Sequence, residues 1–293
     1  MTTASLEWTP GTAQIAREAG AILREFFAKG VETEYKGEAD LVTIADRTAE
    51  KLIRARLPEL FPGHGVFGEE GTRDRLDSEY RWYVDPLDGT TNFAHGHPQF
   101  CVSLGLEHRP AGTAADQDGT LVAGVIYDPL RDELYTAERG KGALLNGKPI
   151  HVAPATHLAQ ALLSTGFPSR KRHASPNVHF YHEFTLRSHG VRRAGSAALD
   201  LAYVASGRLD AFWEFNLNPW DTAAGILLVE EAGGTVTGFS GHPYRIDSRE
   251  VLASNGLIHA ELVALFADLF AGRGLSPIPT PQQFGLERAK SGI

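Results

Sequence analysis

Trp82-Tyr83-Val84-Asp85-Pro86-Leu87-Asp88-Gly89-Thr90-Thr91-Asn92-Phe93 decides how the rest of the chain is read. An apolar, β-favouring run, Trp82 to Val84, ends in two aspartates and a glycine, which predicts a buried strand breaking into a tight loop. The loop delivers Asp85 and Asp88 at the strand's C-terminal end, with Pro86 fixing the backbone between them. Gly89-Thr90-Thr91 then offers backbone N–H groups and hydroxyls suited to an anion. Carboxylates beside an anion cradle repel what they should attract unless cations lie between them. The stretch therefore points to a metal-assisted phosphate site.

Further acids stand where other segments end. Gly65-Val66-Phe67-Gly68 reads as a short strand running into Glu69-Glu70, and Pro219-Trp220-Asp221 opens a helix. Each has a plain alternative: Asp85 and Asp88 as turn formers, Asp221 as a helix-dipole partner, Glu69-Glu70 as a solvated loop. Apolar strands delivering several of them to one end of the fold favour a shared site. Oxygen donors without cysteine or paired histidine spacing suit a hard cation such as Mg²⁺ rather than zinc. Asp46 opens a helix over 46–60 and is read either as its N-cap, which spacing alone favours, or as a carboxylate that orients Thr90. Gly195-Ser196-Ala197-Ala198 is a helix start whose N–H groups could meet a phosphate or a sugar hydroxyl, although such starts are common. Glu214, closing the aromatic strand Phe212-Trp213-Glu214, is either a solvated strand end or an acceptor for polyol hydroxyls.

The bulk composition sets outer bounds. The 293 residues allow one large domain or two packed subdomains. A formal charge of −8 argues against general nucleic-acid binding, and the basic cluster Arg170-Lys171-Arg172-His173 is too short to change that. Cys101 is the single cysteine, so no internal disulfide forms, and its setting in Phe100-Cys101-Val102 suits a buried strand thiol. No signal peptide or membrane-length apolar run is present, so a cytoplasmic chain is expected. His179 and His182 are read as a solvated helix face.

Along the chain, Thr9-Pro10 opens a helix that Gly30 stops. Strands are expected over 100–106, 121–127 and 133–137, covering one face of the first half, with a mobile loop over 111–119. A hairpin turn is expected at Asn146-Gly147. The second half alternates strands (161–165, 190–193, 209–214, 235–239, 251–254) with helices (177–188, 196–205, 220–232, 257–270). One domain over 1–272 results, with packed subdomains of about 1–150 and 151–272, a cleft between them, and a loosely held tail over 273–293.

In their order, Val42-Thr43-Ile44-Ala45-Asp46, Gly68-Glu69-Glu70, the 82–93 stretch, Gly195-Ser196-Ala197-Ala198 and Trp213-Glu214 through Pro219-Trp220-Asp221 resemble the inositol monophosphatase family. That family lies within the wider superfamily of Mg²⁺-dependent, Li⁺-sensitive phosphatases. The resemblance covers about residues 10–270 and is far more specific for the reaction than for the substrate. It implies an αβαβα sandwich of the inositol monophosphatase and fructose-bisphosphatase type, an α/β fold that is usually a homodimer. It implies two or three Mg²⁺ per site: one on Glu69, Asp85 and the Leu87 carbonyl, a second shared by Asp85, Asp88 and Asp221. Thr90 with Asp46 would activate the attacking water, with Glu69 counted among the catalytic residues. Gly89 and Thr90 would hold the phosphate. Asp88, Gly195, Ser196, Ala197, Glu214 and Asp221 would complete the substrate contacts.

The implied reaction is in-line attack of a metal-activated water on a small phosphate monoester, foremost inositol 1-phosphate. Histidinol phosphate is the sibling alternative. Fructose bisphosphate and phosphoadenosine phosphate fit less well, because no extra basic pocket is evident. A regulatory protein that keeps the fold and binds a partner is the alternative from another class. Leu87 stands where isoleucine is common, which changes nothing if only its carbonyl acts. Asn216 stands where glycine is common, which could reshape the alcohol pocket.

Overall fold

The computed structural model describes residues 7–30, 33–37, 40–113, 119–167, 175–278, 280 and 283. The basic cluster at 170–173, the middle of the 111–119 loop and most of the tail beyond 278 lie outside them.

The chain opens with α1 (Thr9–Lys29), which has proline in its first turn and ends at Gly30 with φ 73°. A hairpin of β1 (Thr33–Gly37) and β2 (Asp40–Thr43) leads directly into α2 (Ile44–Leu60). Then come β3 (Gly65–Gly68), β4 (Arg73–Asp74), β5 (Tyr80–Asp88), the short α3 (Thr90–Ala94), β6 (Cys101–His108), β7 (Thr120–Asp128), β8 (Glu133–Glu138), β9 (Ala143–Leu145) and β10 (Lys148–Pro149). All but β1 and β2 of these strands form one sheet, ordered β10-β9-β8-β7-β6-β5-β3-β4, in which only the β3–β5 pair is parallel. The strands over 101–138 therefore do not lie over the first half. They extend the β5 sheet edge to edge, because each antiparallel hairpin pairs with the strand before it. The Asn146-Gly147 turn takes positive φ at both residues, 49° and 76°, as a two-residue hairpin of this kind requires.

The second half runs β11 (Leu162–Thr165), α4 (Asn177–Arg187), β12 (Gly190–Arg192), α5 (Ala197–Ala205), β13 (Ala211–Phe215), α6 (Pro219–Glu231), β14 (Thr235–Thr237), β15 (Glu250–Ser254) and α7 (His259–Phe270). Its five strands form a mixed sheet, ordered β12-β11-β13-β15-β14.

Burial explains the layering. α1 and α2 cover the outer face of the first sheet with Ile15, Ala19, Leu23, Ala49 and Ile53. α4 and α7 cover the outer face of the second with Phe180, Phe184, Leu262 and Phe266 packed on Trp213 and Leu252. Between the sheets lie α5 and α6, each buried along most of its length rather than on one stripe. Their alanines and leucines share one core with Ile126 and Tyr135 of the first sheet and Phe212 and Ala253 of the second. Gly105 and Gly124, paired across β6 and β7, let α6 approach. A Cβ at either would lie 2.6 Å from Ala223 Cβ or 2.8 Å from the Ala224 carbonyl. The result is the expected αβαβα sandwich. At the described start of the tail, Arg187 donates to the Gly274 carbonyl at 3.0 Å, and Ser276 bonds Glu183.

Candidate active site

β5 does not break after Val84, as its sequence suggested, but continues to Asp88 through a bulge. Asp85 pairs with Ser103 and Asp88 with Cys101, so β5 spends one residue more than β6 over the same interval. Pro86, with no N–H to give the ladder, falls inside this irregularity. In a regular strand, residues three apart face opposite sides. The extra residue cancels that alternation and lets Asp85 and Asp88 serve one site.

Beyond the bulge, Gly89 turns the chain with φ 99°. A Cβ there would lie 2.8 Å from the Gln99 carbonyl. Thr90 then starts α3, its hydroxyl 3.0 Å from the Leu87 carbonyl and 3.2 Å from Asp46 Oδ1. Asp46 is not the N-cap that spacing favoured: it is the third residue of α2, fully buried, and turned toward Thr90. One turn further along α2, buried Glu50 accepts from the backbone N–H of Glu70 at 2.8 Å and of Thr72 at 3.1 Å. A single helix thus steers both Thr90 and the turn that carries Glu69. Arg73 ties that turn to the far wall, bonding the Gly68 carbonyl while its guanidinium lies 3.9 Å over the Phe67 ring and 5.4 Å from that of Trp220.

α5 and α6 form the opposite wall. Ser196 caps α5 and donates its hydroxyl to Asp88 Oδ2 at 2.6 Å, and the Ala198 N–H reaches the same oxygen at 2.7 Å. The helix start expected to receive a ligand thus already holds Asp88. Ser196 lies buried behind that carboxylate and out of the cleft, while Gly195 and Ala197 do line it. Asp221 sits in the first turn of α6, accepting the Asn218 N–H at 2.7 Å, so its dipole-complementing role and its place in the cleft coexist. Glu214, at the end of β13, is buried rather than solvated. It lies flat across Gly166, where a Cβ would fall 2.0 Å from Oε2. Asn216 adopts φ 58°, the conformation glycine takes freely and asparagine tolerates, so the loop keeps its backbone shape.

These groups enclose a cleft of about 170 Å³ lined by Glu69, Asp88, Gly89, Thr90, Glu214 and Asp221 among others. Burial first, and then Glu69, Asp88 and Asp221, hold the Asp85 carboxyl well above the usual range. Asp88 is raised by burial against the pull of Ser196 and the α5 amides. Burial and then Asp88 push Asp221 up to about 7. Glu214 is raised well above its ordinary value by burial and then by Asp200, Asp221 and Asp88. No ion pair among the described residues engages Asp85, Asp88, Glu214 or Asp221. Nor, among the described residues, do three or more His, Cys, Asp or Glu side chains form a group placed to hold a metal ion. Glu69, Asp88, Glu214 and Asp221 line the cleft, with Asp85 buried beside them, and like charges gathered there repel one another.

Cys101 is a buried strand thiol, as expected. His179 is exposed and His182 half-buried. Sequence reasoning missed Gly166, Phe167, Arg193 and Leu217 in the cleft wall, and the buried Asp200 whose charge acts on Glu214. It quoted Asn92 without a role. The Asn92 amide donates to the carbonyls of Gln99 at 2.8 Å and Ala194 at 2.9 Å, joining the loop after β5 to the segment before α5.

The chain is similar in sequence and fold to known proteins. A profile of the inositol monophosphatase family matches residues 6–270. The chain is 45% identical over 255 residues to the inositol-1-monophosphatase of Mesorhizobium japonicum, covering 85% of this chain and 92% of that one. It is 40% identical over 256 residues to the putative Nus factor SuhB of Neisseria meningitidis serogroup B, covering 86% and 95%. Among solved structures it resembles extragenic suppressor protein SuhB from Bartonella henselae, with TM-score 0.80, 42% identity, and 87% and 96% of the two chains covered. It likewise resembles inositol monophosphatase from Anabaena, with TM-score 0.77, 39% identity, and 90% and 94% covered. A bulged strand end, a threonine–aspartate pair and two helix starts facing one acidic cleft, on a chain matched along nearly its whole length, place this protein in the inositol monophosphatase family of phosphoric monoester hydrolases.

Proposed function

We propose that the protein hydrolyses the phosphate monoester of a small polyol, inositol 1-phosphate foremost, in a Mg²⁺-dependent reaction. The observation that carries this reading is the meeting of Glu69, Asp85, Asp88 and Asp221, from three segments, beside the Thr90–Asp46 pair. Glu69, Asp85 and the Leu87 carbonyl would hold one cation, and Asp85, Asp88 and Asp221 a second. Bound there, divalent cations would neutralise charge on the phosphoryl and leaving oxygens and make water nucleophilic at neutral pH.

The remaining work falls to the chain itself. Thr90 donates to Asp46, which leaves a hydroxyl lone pair to accept from the attacking water and orient it. The Gly89 and Thr90 amides, at the start of a helix, face the phosphate. Asp88 is fixed by the α5 start, so it cannot swing away from its cation. Glu214 accepts from the hydroxyls of the alcohol. Li⁺ sensitivity, a homodimeric assembly, cytoplasmic residence and a division into subdomains near residue 150 belong to the same proposal. No helix among the described residues is long and apolar enough to cross a membrane.

The test is phosphate release from myo-inositol 1-phosphate, histidinol phosphate, fructose 1,6-bisphosphate and phosphoadenosine phosphate, with and without Mg²⁺ and Li⁺. Mg²⁺-dependent turnover led by the inositol ester is expected, and no turnover of any ester would end this reading. The relatives named as Nus factors favour a second reading, in which the surface also serves a protein partner. An Asp88→Asn variant separates the two: turnover should vanish, and a partner role should survive.

A further inference from the structure

The cleft floor is held from outside the cleft. Thr165 and Trp213 are register partners in the parallel β11–β13 pair, and each is followed by a residue that lines the cleft, Gly166 and Glu214. The β11–β13 pairing ends with them. Glu214 stays in the sheet through Val251 of β15, but Gly166 has left it. Asn177, the first residue of α4 and fully buried, takes hold there. Its Nδ2 donates to the Gly166 carbonyl at 2.6 Å and to the Thr165 hydroxyl at 2.9 Å, and its Oδ1 accepts from Trp213 Nε1 at 2.6 Å. The Thr165 hydroxyl donates in turn to the Trp213 carbonyl at 2.7 Å, which closes a ring of hydrogen bonds across the two strand ends. Only one orientation of the amide serves, because an indole N–H can only donate and a peptide carbonyl can only accept.

We propose that Asn177 is a positioning residue for substrate binding, which fixes the Gly166 peptide as the floor on which Glu214 rests. Its role rests on the phosphatase reading above, and it serves that site from behind. No hydrogen bond or ion pair among the described residues engages the Glu214 carboxylate, so its placement depends on packing such as its close approach to Gly166. Among the described residues that line the cleft are neither Asn177 nor Thr165 nor Trp213, so the ring reaches a ligand only through Gly166 and Glu214. Removing the amide deprives the Trp213 N–H and the Gly166 carbonyl of their buried partner and frees the floor to shift. A site of this kind must be held to within about 0.5 Å, so a small shift is felt in binding. The ring shares no residue with α2, β5 or α3, which carry Asp46, Asp85, Asp88 and Thr90. Those groups keep their places when it is broken.

The experiment measures kcat and KM for myo-inositol 1-phosphate, inhibition by inorganic phosphate and the Mg²⁺ activation curve, well below the unfolding temperature of each protein. The full chain is compared with Asn177→Ala, Thr165→Val, Thr165→Ser and Leu262→Ala. Asn177→Ala should raise KM about tenfold, the scale of one buried hydrogen bond, with kcat and Mg²⁺ activation moved less than about twofold. Inorganic phosphate has no alcohol part, so its inhibition constant should also move less than about twofold. Thr165→Val opens the ring and should raise KM about threefold, while Thr165→Ser keeps the hydroxyl and should restore the parent value. Leu262→Ala removes a buried side chain of the α7 core away from the ring, and should lower the unfolding temperature without moving KM. An unchanged KM in Asn177→Ala would overturn the inference. So would an equal weakening of phosphate, a fall in kcat as large as the rise in KM, or the same KM rise in Leu262→Ala, each of which would make Asn177 a support of the fold alone. The phosphatase reading would survive all of these. A parent that turns over no ester in the panel overturns the phosphatase reading, and this inference with it.

Discussion

The two walls of the cleft are built by different means. The wall carrying Asp85, Asp88 and Thr90 is a strand end in the middle of an eight-stranded sheet, reinforced from behind by Asp46 and Glu50 of one helix. The wall carrying Glu214, Arg193 and Gly195 is a meeting of a strand end, a loop and a helix start from a smaller sheet. In the first, covalent spacing and a bulge set Asp85 and Asp88 on one side, and hydrogen bonds from the α5 start hold Asp88. In the second, positions depend on close approaches such as Glu214 on Gly166. The contrast divides reaction from selection: damage to the first wall should impair every substrate, and damage to the second should distinguish among them.

Asp85→Asn should produce the largest effect. Turnover of all esters at saturating Mg²⁺ should fall on the order of a thousandfold or more, the range in which one member of a catalytic unit is lost. Without added metal, in chelator, the variant should unfold no earlier than the parent, because removing a buried charge relieves its repulsion by Glu69, Asp88 and Asp221. A strong loss of stability in chelator would show that Asp85 supports the fold rather than the site. Thr90→Ala comes next: kcat should fall roughly a hundredfold for every ester, as for loss of a positioned proton-accepting group, with the Mg²⁺ activation curve little moved.

Gly166→Ala tests the second wall. Its new methyl collides with Glu214, so KM for the inositol ester should rise about tenfold while Mg²⁺ activation stays put. An equal loss for all esters would break the division between walls. Glu50→Gln loosens the turn that carries Glu69, and half-maximal activation should need about ten times more Mg²⁺, with kcat nearly kept.

The smallest effect lies outside both walls. His64 accepts from Trp82 Nε1 at 3.1 Å and stacks on Tyr80, and burial lowers its pKa to about 4. The unfolded chain takes up that proton near the ordinary histidine value, before the folded chain does. This contribution is therefore complete above about pH 6.5 and is lost as pH falls toward about 4. His64→Gln should flatten the stability profile in that window by about 1 kcal/mol, a figure reduced for the half-exposed ring, and leave turnover at neutral pH unchanged.

What could be read from the sequence follows this same division. Element types and most boundaries were legible because hydrophobic alternation, helix caps and Gly or Pro stops are local signals. The Thr9-Pro10 helix entry, the Asn146-Gly147 turn and α6 are examples. Sheet membership was not, because which edge a hairpin pairs with is settled by packing, here by Gly105 and Gly124 under α6. The acidic stretch suggested a metal-assisted phosphate loop, but gave no sign of the bulge that turns Asp85 and Asp88 to one side. Asp46 shows the limit most clearly. Local spacing made it a cap, and only a residue 44 positions away reveals its partner. Gly166 and Asn177 carry no motif, and their meaning arises only where β11 and β13 end together.

Asn92 has a consequence beyond its hydrogen bonds. By pinning the loop after β5 to the carbonyls before α5, one amide spans the gap between the two sheets at the cleft. A jaw that swings shut around its substrate needs a hinge free of such rivets, and this one is buried beside the cleft. Its aperture is set when the chain folds. Lineages that acquire a new preference must then do so by exchanging the side chains of the wall, one substitution at a time, rather than by retuning a motion.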